Sequence, residues 1–183
     1  MKLIKWLATA ATLTAFGLSS AMAADKAKQD EVLKAAQTSL NDFYKADPKI
    51  KGEVEKAPGY AVFTTYGVSF LLGGAGGKGV AHDNATKKNT FMDMALASAG
   101  LQIGAAQTRY LFIFKDKAQM QQFIDKGWEA SANIAAGGGT GKQSEGGSMG
   151  SFTGGKFYQL TKTGLEVGAA AQGTKVWKDK DLN

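Results

Sequence analysis

Residues 60–72 read YAVFTTYGVSFLL, and residues 73–80 continue as GGAGGKGV. The first stretch is rich in β-branched and aromatic residues, which favour a strand. The glycines after it indicate a turn or bulge that leads into an antiparallel neighbour. From Gly59 onward, the sequence therefore predicts mainly β-structure.

Three later segments carry the same signal. Tyr110–Phe114 is strongly apolar, whereas Gly100–Gln107 and Gly164–Gln172 alternate apolar residues with polar or small ones, as in strands with one buried face. Glycines recur inside these patterns, at Gly104 and Gly168, where they would weaken a flat strand. This indicates a sheet that bends strongly or closes on itself.

Two helices are predicted. In Asp25–Lys45, apolar residues recur at helical spacing between charged residues of both signs, and Pro48 limits the helix. Asp116 is placed to cap a second helix over Lys117–Lys126, which Gly127 ends. The predicted fold is α+β, with an N-terminal amphipathic helix and one further helix packed on a strongly curved, mainly antiparallel β-sheet, barrel-like if it closes.

The N-terminal residues are typical of a secretory signal peptide. Lys2 and Lys5 precede an apolar stretch, Leu7–Leu18, that is short for a spanning helix, and Ala21–Ala23 offers a small-x-small cleavage site. We therefore expect a signal peptide at residues 1–23 and an exported, periplasmic protein. No cysteine is present, so neither a lipobox nor a disulfide is expected.

The remaining residues, 24–183, suit one domain, with a helical segment at 24–56 and a β-rich core at 57–183. The whole chain carries a net charge of +6. This mild basicity is compatible with attraction to an anionic surface but is too weak to indicate nucleic acid. Residues 137–155, rich in glycine and serine, are predicted to form a surface loop.

Several motifs resemble chemical sites without completing one. Residues 74–79 match G-x-G-x-x-G, but a turn and not a helix is expected after them, which argues against a nucleotide site. His82 is the sole histidine, and no serine elbow accompanies it. We expect no catalytic residue, no metal and no cofactor, and neither nucleotide nor nucleic acid as a partner.

An ordered series of segments spans roughly Val54–Asp179. It consists of Ala57–Phe63 entering the first strand, the glycine cluster Gly73–Val80, Gly100–Gln107, Tyr110–Phe114 before the helix that ends at Gly127, Trp128–Ala132, and Gly164–Ala171. This series resembles the SYLF domain family, a lipid-binding module found alone in exported bacterial proteins. The resemblance implies phospholipid binding helped by an amphipathic helix at the start of the domain, and some eukaryotic members also bind actin.

A binding hypothesis follows from the residues. Backbone N–H groups of a glycine-rich turn beside a cation can bind phosphate, and Gly76, Gly77, Lys78 and Gly79 supply both. The other candidates for head-group binding are Arg109, Lys87 and Lys88. The candidate membrane-contacting face of the first helix consists of Leu33, Leu40 and Phe43.

The predicted function is that of a non-enzymatic envelope protein that binds phospholipid or an anionic membrane surface. The alternative is a structural or protein-interaction module of the envelope without lipid specificity, with envelope proteins as partners.

Overall fold

A computed structural model describes residues 12–69, 73–98, 104–129, 152, 154–161, 164–166 and 174–183. The helices in these ranges are α1 (Thr12–Ala46), α2 (Lys49–Lys56) and α3 (Lys117–Lys126). The strands there are β1 (Gly59–Ser69), β2 (Gly73–Asp83), β3 (Asn89–Ser98), β4 (Gly104–Phe114), β5 (Trp128–Glu129), β6 (Gly155–Thr161), β7 (Gly164–Glu166) and β8 (Thr174–Lys178).

The strands of the described residues form one eight-stranded sheet in the order β5-β8-β3-β2-β1-β4-β6-β7. All neighbouring pairs run antiparallel, and the sheet is strongly curled. The predicted α+β fold with a curved antiparallel sheet is therefore confirmed.

β1 lies near the middle of the sheet and is buried on both faces. Val62 belongs to a core shared with α1 and α2, whereas Ala61 and Phe63 point to a second core shared with α3. Because successive side chains of a strand point to opposite faces, one strand feeds both cores. The sheet is thus the middle layer of three.

α1 confirms the predicted amphipathic helix but begins at Thr12 and not at Asp25. It ends at Ala46, next to Pro48, as predicted. α2 was not predicted as a separate helix; Ile50 and Val54, one turn apart, are its buried residues. No helix in the described part of the chain has the length and apolar character needed to cross a bilayer.

α3 forms with the predicted boundaries. The side chain of Asp116 accepts a hydrogen bond of 2.8 Å from the backbone N–H of Gln119, and Gly127 follows the last turn with φ of 74°. Its buried residues Met120, Phe123 and Ile124 pack on the second core. Local capping signals therefore determined this helix.

Some predicted boundaries need correction. Residues 73–83 form β2 where a turn or bulge was expected for the glycines, and β3 was not predicted as a strand. The end of the predicted surface loop is ordered, because Phe152 is buried in the second core and Gly155 begins β6. Three predicted stretches lie outside the described residues. They are residues 137–151 and 153 of that loop, residues 100–103 of one predicted strand, and residues 167–172 of another.

The N-cap of α3 can be tested by Asp116→Ala. Loss of the hydrogen bond to Gln119 should lower the free energy of unfolding by about 1 kcal/mol in urea titrations. Asp125→Ala is the control on the same helix, because its carboxylate only accepts an exposed hydrogen bond from Gln121, and it should change stability by less than about 0.5 kcal/mol. Equal effects of the two changes would contradict the capping role.

Candidate functional site

The glycines proposed to bind a head group lie within β2 and not in a turn. Gly76, Gly77 and Gly79 pair with β1 on one side and with β3 on the other. In a strand flanked on both sides, the ladders use the backbone N–H groups that phosphate would need. The prediction of a turn at these glycines is therefore wrong, because they lie inside a strand.

Close approach of β1 explains two of these glycines. A Cβ atom at Gly77 would overlap the carbonyl oxygen of Thr64 and lie 2.7 Å from Thr65 Cα. A Cβ at Gly79 would overlap the ring of Phe63. These positions carry glycine because the neighbouring strand occupies the space of a side chain.

Lys78 is held by two carboxylates. Its Nζ lies 2.8 Å from Asp93 Oδ1, directly across the β2–β3 ladder, and 2.5 Å from Asp179 Oδ2. Asp179 is only 2% exposed, and its other oxygen accepts hydrogen bonds from the backbone N–H groups of Asp181 and Leu182. The charge of Lys78 is thus already neutralised within the fold.

The electrostatics of this cluster favour its charged form. Burial opposes the charge of Asp179, but the hydrogen bonds from Lys78, Asp181 and Leu182 outweigh it and hold the pKa of this carboxyl below its ordinary value. Burial likewise opposes the charge of Lys78, yet its hydrogen bonds to Asp179 and Asp93 raise its pKa. The cluster is an ion-pair network that ties the chain after β8 to the sheet.

Arg109 connects the sheet to α1. Its Nη2 lies 3.3 Å from Asp42 Oδ2 on α1 and donates to Gln107 Oε1 at 3.3 Å. Beside it, the buried hydroxyls of Ser39 and Thr64 share a hydrogen bond of 2.7 Å. Arg109 therefore positions α1, and the structural ion pair uses the guanidinium that was a candidate for phosphate.

The candidate membrane-contacting face of α1 lies inside the protein. Phe43 is fully buried and Leu40 is 4% exposed, while Leu33 is partly buried against the same core. The apolar stripe of this helix packs on its own sheet. It is therefore not an exposed surface for a membrane.

Lys87 and Lys88 remain available as cations. They lie in the tight turn between β2 and β3, and both are exposed without an ion pair within the described residues. The side chain of Asp83 accepts hydrogen bonds from the backbone N–H groups of Thr86 and Ala85, which lower the pKa of its carboxyl. The backbone N–H of Asp83 also donates to the carbonyl oxygen of Lys88 at 3.0 Å, so the two lysines lie where the turn enters β3.

A cavity of about 400 Å³ lies between α1 and strands β1 to β3. Its apolar wall consists of Leu33, Ala36, Leu40, Val62 and Val80. Its polar lining consists of Lys34, Gln37, Tyr60, His82 and Asn89. His82 Nδ1 lies 2.6 Å from Asn89 Oδ1, which holds these two residues together across the β2–β3 pair. The turn that carries Lys87 and Lys88 joins these two residues along the chain.

The second half of the chain matches a known family. Residues 95–183 match the model of the family described as "Ysc84: Las17-binding protein actin regulator". The chain belongs to the Ysc84 (SYLF) family. This confirms the resemblance drawn from the sequence, and it places the chain in a family known for actin- and lipid-binding domains.

The chain is also similar to a curated protein, Beta cell expansion factor A of Aeromonas veronii. The two are 35% identical over 148 residues, which cover 80% of this chain and 56% of that protein. The chain thus spans little more than half the length of this relative.

Sequence reasoning missed two features of this chain. The cavity brings together α1 and three strands, and no local pattern marks such a contact. Trp177 on β8, 39% exposed, lies beside the exposed Lys175 and Lys178. The alternation of polar Lys175, apolar Val176 and Trp177 along a short strand was the available signal for this surface.

The structural role of the β2 glycines can be tested by Gly77→Ala. The added Cβ must displace the backbone of β1, which should lower the free energy of unfolding by about 1–3 kcal/mol. Gly76→Ala is the matched control, because its nearest neighbour would be Met94 O at an ordinary 3.9 Å. Urea titrations that find the two variants equally stable would argue against close strand approach.

The Asp179 network predicts a pH-dependent loss of stability. Because folding lowers the pKa of Asp179, its charge stabilises the fold above the ordinary aspartate pKa of about 4, and this contribution is lost as pH falls through the lowered value. Asp179→Asn should cost about 1–2 kcal/mol at neutral pH, and the difference from the wild type should shrink towards about pH 3. Urea unfolding across this range measures it.

The exposed Asp181→Asn is the control, with little effect at any pH. A difference between Asp179→Asn and the wild type that stays constant with pH would mean that Asp179 acts through packing alone.

Proposed function

We propose that this protein is an exported, non-enzymatic envelope protein that binds anionic phospholipid surfaces. The observation that carries the proposal is the exposed turn at Lys87 and Lys88, whose cations are free of ion pairs in the described residues. Membership of a family known for lipid-binding domains supports the same function. The signal-like residues 1–23 support export.

The turn binds an anionic surface through unpaired charge. Each lysine close to an anionic bilayer adds about 1 kcal/mol of attraction, and Lys34 at the cavity adds to the same region. Lys78 and Arg109 contribute less, because carboxylates of the fold already compensate them. Binding by exposed lysines is screened by salt, so it should weaken as ionic strength rises.

A second candidate function, contact with an envelope protein, is favoured by Trp177. It is the large hydrophobic side chain that stands exposed in the described residues, and exposed tryptophan is typical of protein interfaces as well as of membrane surfaces. The two functions differ in whether lipid alone suffices for binding.

Vesicle flotation tests the proposed function. The protein is purified from the cell fraction where it accumulates and is mixed with vesicles of phosphatidylcholine, alone or with phosphatidylglycerol. We expect flotation with the anionic vesicles only, weakened by salt. Lys87→Ala with Lys88→Ala should lower the vesicle partition coefficient by about tenfold or more, since two contributions of about 1 kcal/mol are removed.

The matched control is Lys115→Ala with Lys126→Ala. Lys115 precedes α3 and Lys126 is its last residue; both are exposed and have no ion pair within the described part of the chain. Their removal changes the net charge by the same amount as removal of Lys87 and Lys88. Equal losses in both double variants would indicate nonspecific charge attraction. No flotation with either vesicle would reject lipid binding and favour a protein partner, and an uncleaved chain in the cytosol would reject export.

A further inference from the structure

The sheet face that packs on α1 continues beyond the core as an open surface. Val80 and Phe91, paired across β2 and β3, belong to the core shared with α1 and α2. Two residues further along the strands, the next row consists of Lys78, Asp93 and Trp177, and Trp177 is 39% exposed. Because directly paired residues of neighbouring strands lie on the same face, these three side chains stand together on the open part of the sheet.

The row after this one is low. It consists of Gly76, Ala95 and Lys175, paired across the same three strands, and Glu129 of β5 pairs with Lys175 at its end. Gly76 is exposed and has no side chain, and the partly exposed Ala95 has only a methyl group. Neighbouring strands lie about 5 Å apart, and alternate residues of one strand lie about 7 Å apart. Trp177 therefore borders a shallow depression with the dimensions of one sugar ring.

The charges around this depression compensate one another. Lys78 is held by Asp93 and Asp179. Lys175 Nζ lies 3.9 Å from Glu129 Oε2, and both of these side chains are mostly exposed. Among these groups, two lysines face three carboxylates, so the surface has no excess of positive charge that would attract an anionic ligand. The charge complements a neutral, polar ligand instead.

We propose that this surface binds one neutral sugar ring of a glycan, stacked on Trp177 above Gly76 and Ala95. The inference goes beyond the proposed function and does not depend on it. A pyranose ring has an apolar face of C–H groups and a rim of hydroxyl groups. The C–H face matches the exposed indole ring, whose large apolar area gains most from such a contact.

The rim of the depression supplies hydrogen-bonding groups for the hydroxyls. Asp93 uses Oδ1 for Lys78, and its Oδ2 takes no hydrogen bond from the described residues, so this oxygen can accept from a hydroxyl. Lys175 and Glu129 form an exposed ion pair at 3.9 Å, which contributes little to stability. A sugar can therefore replace this contact with hydrogen bonds to both groups at little cost.

The architecture disfavours other occupants. A peptide strand binds an open sheet edge, but β2 and β3 have a neighbouring strand on each side, and the ladders use their backbone groups. A lipid chain needs a deep apolar pocket, whereas Gly76 and Ala95 form a shallow floor between charged side chains. A sugar ring requires only the aromatic platform and the polar rim.

Titration with neutral trisaccharides tests the proposal. The full chain is labelled with nitrogen-15, and chitotriose, cellotriose and maltotriose are each added to millimolar concentration. We expect the indole N–H resonance of Trp177 to shift saturably with at least one of them. The indole N–H of Trp128, which packs against the second core on the other face of the sheet, is the internal control and should not move.

Substitutions locate the site. Trp177→Ala should weaken binding of that trisaccharide by about tenfold, and Trp177→Tyr should retain most of the affinity, because it keeps an aromatic platform. Gly76→Leu should abolish binding by filling the floor, and it spares the core because a Cβ there would meet only Met94 O at 3.9 Å. Gly52→Leu in α2 is the matched control and should bind normally, since a Cβ there meets no atom within 4 Å. Thermal unfolding checks that each variant is folded, and equal losses in both leucine variants would overturn the proposal.

Three further probes separate a neutral sugar from other ligands. Trigalacturonate is an anionic trisaccharide, choline is a cation that an indole ring can bind, and bicelles with phosphatidylglycerol present a membrane. Each should shift the Trp177 resonance less than the neutral trisaccharide does. A larger shift with any of these three probes would overturn the proposal, as would the absence of a shift with all three neutral trisaccharides.

Discussion

Burial of β1 on both faces is the constraint on which the rest of the structure depends. Val62 faces α1 and Phe63 faces α3, so neither helix layer can be removed without exposing an apolar side of the same strand. Burying one large apolar side chain stabilises a fold by about 1.5–3 kcal/mol, and this strand contributes to two cores at once. The glycines of β2 serve the same constraint, because Gly77 and Gly79 let the neighbouring strand approach where side chains would collide. The sheet can then curl without opening either core.

Polar groups between the layers fix how α1 lies on this sheet. Apolar packing alone is not directional, whereas the hydrogen bond between Ser39 and Thr64 and the ion pair between Asp42 and Arg109 each require one register. Arg109 also has a cost, because its buried Nε has no hydrogen-bond partner within the described residues. The Nη2 of the same guanidinium contacts Asp42 and so orients α1 on the sheet.

Local signals explain which parts of the molecule were predictable from sequence. α3 was predicted with its boundaries because its cap at Asp116, its apolar spacing and its terminating glycine lie within a dozen neighbouring residues. The ion pair of Lys78 was missed for the opposite reason: its partner Asp179 is 101 residues away, and only the sheet brings them together. The packing role of the β2 glycines was missed for the same reason, since it depends on their contacts with Thr64 and Phe63 in the paired strand. Lys87 and Lys88 lie on a local turn, and there the sequence placed exposed cations correctly.

The buried position of α1 determines how lipid and protein can meet. To insert Leu40 and Phe43 into a bilayer, α1 would have to vacate the core, and Val62 and Val80 would then face water. The free energy gained by moving Leu40 and Phe43 into the membrane would be offset by the cost of exposing Val62 and Val80 to water. Each of these side chains contributes about 1.5–3 kcal/mol. Release would also break the contacts of Ser39 and Asp42, which removes the hydroxyl partner of Thr64 and the carboxylate partner of Arg109. Insertion of α1 therefore gains little free energy and costs these contacts. The helix contributes more as a packed layer of the fold than as an inserted segment.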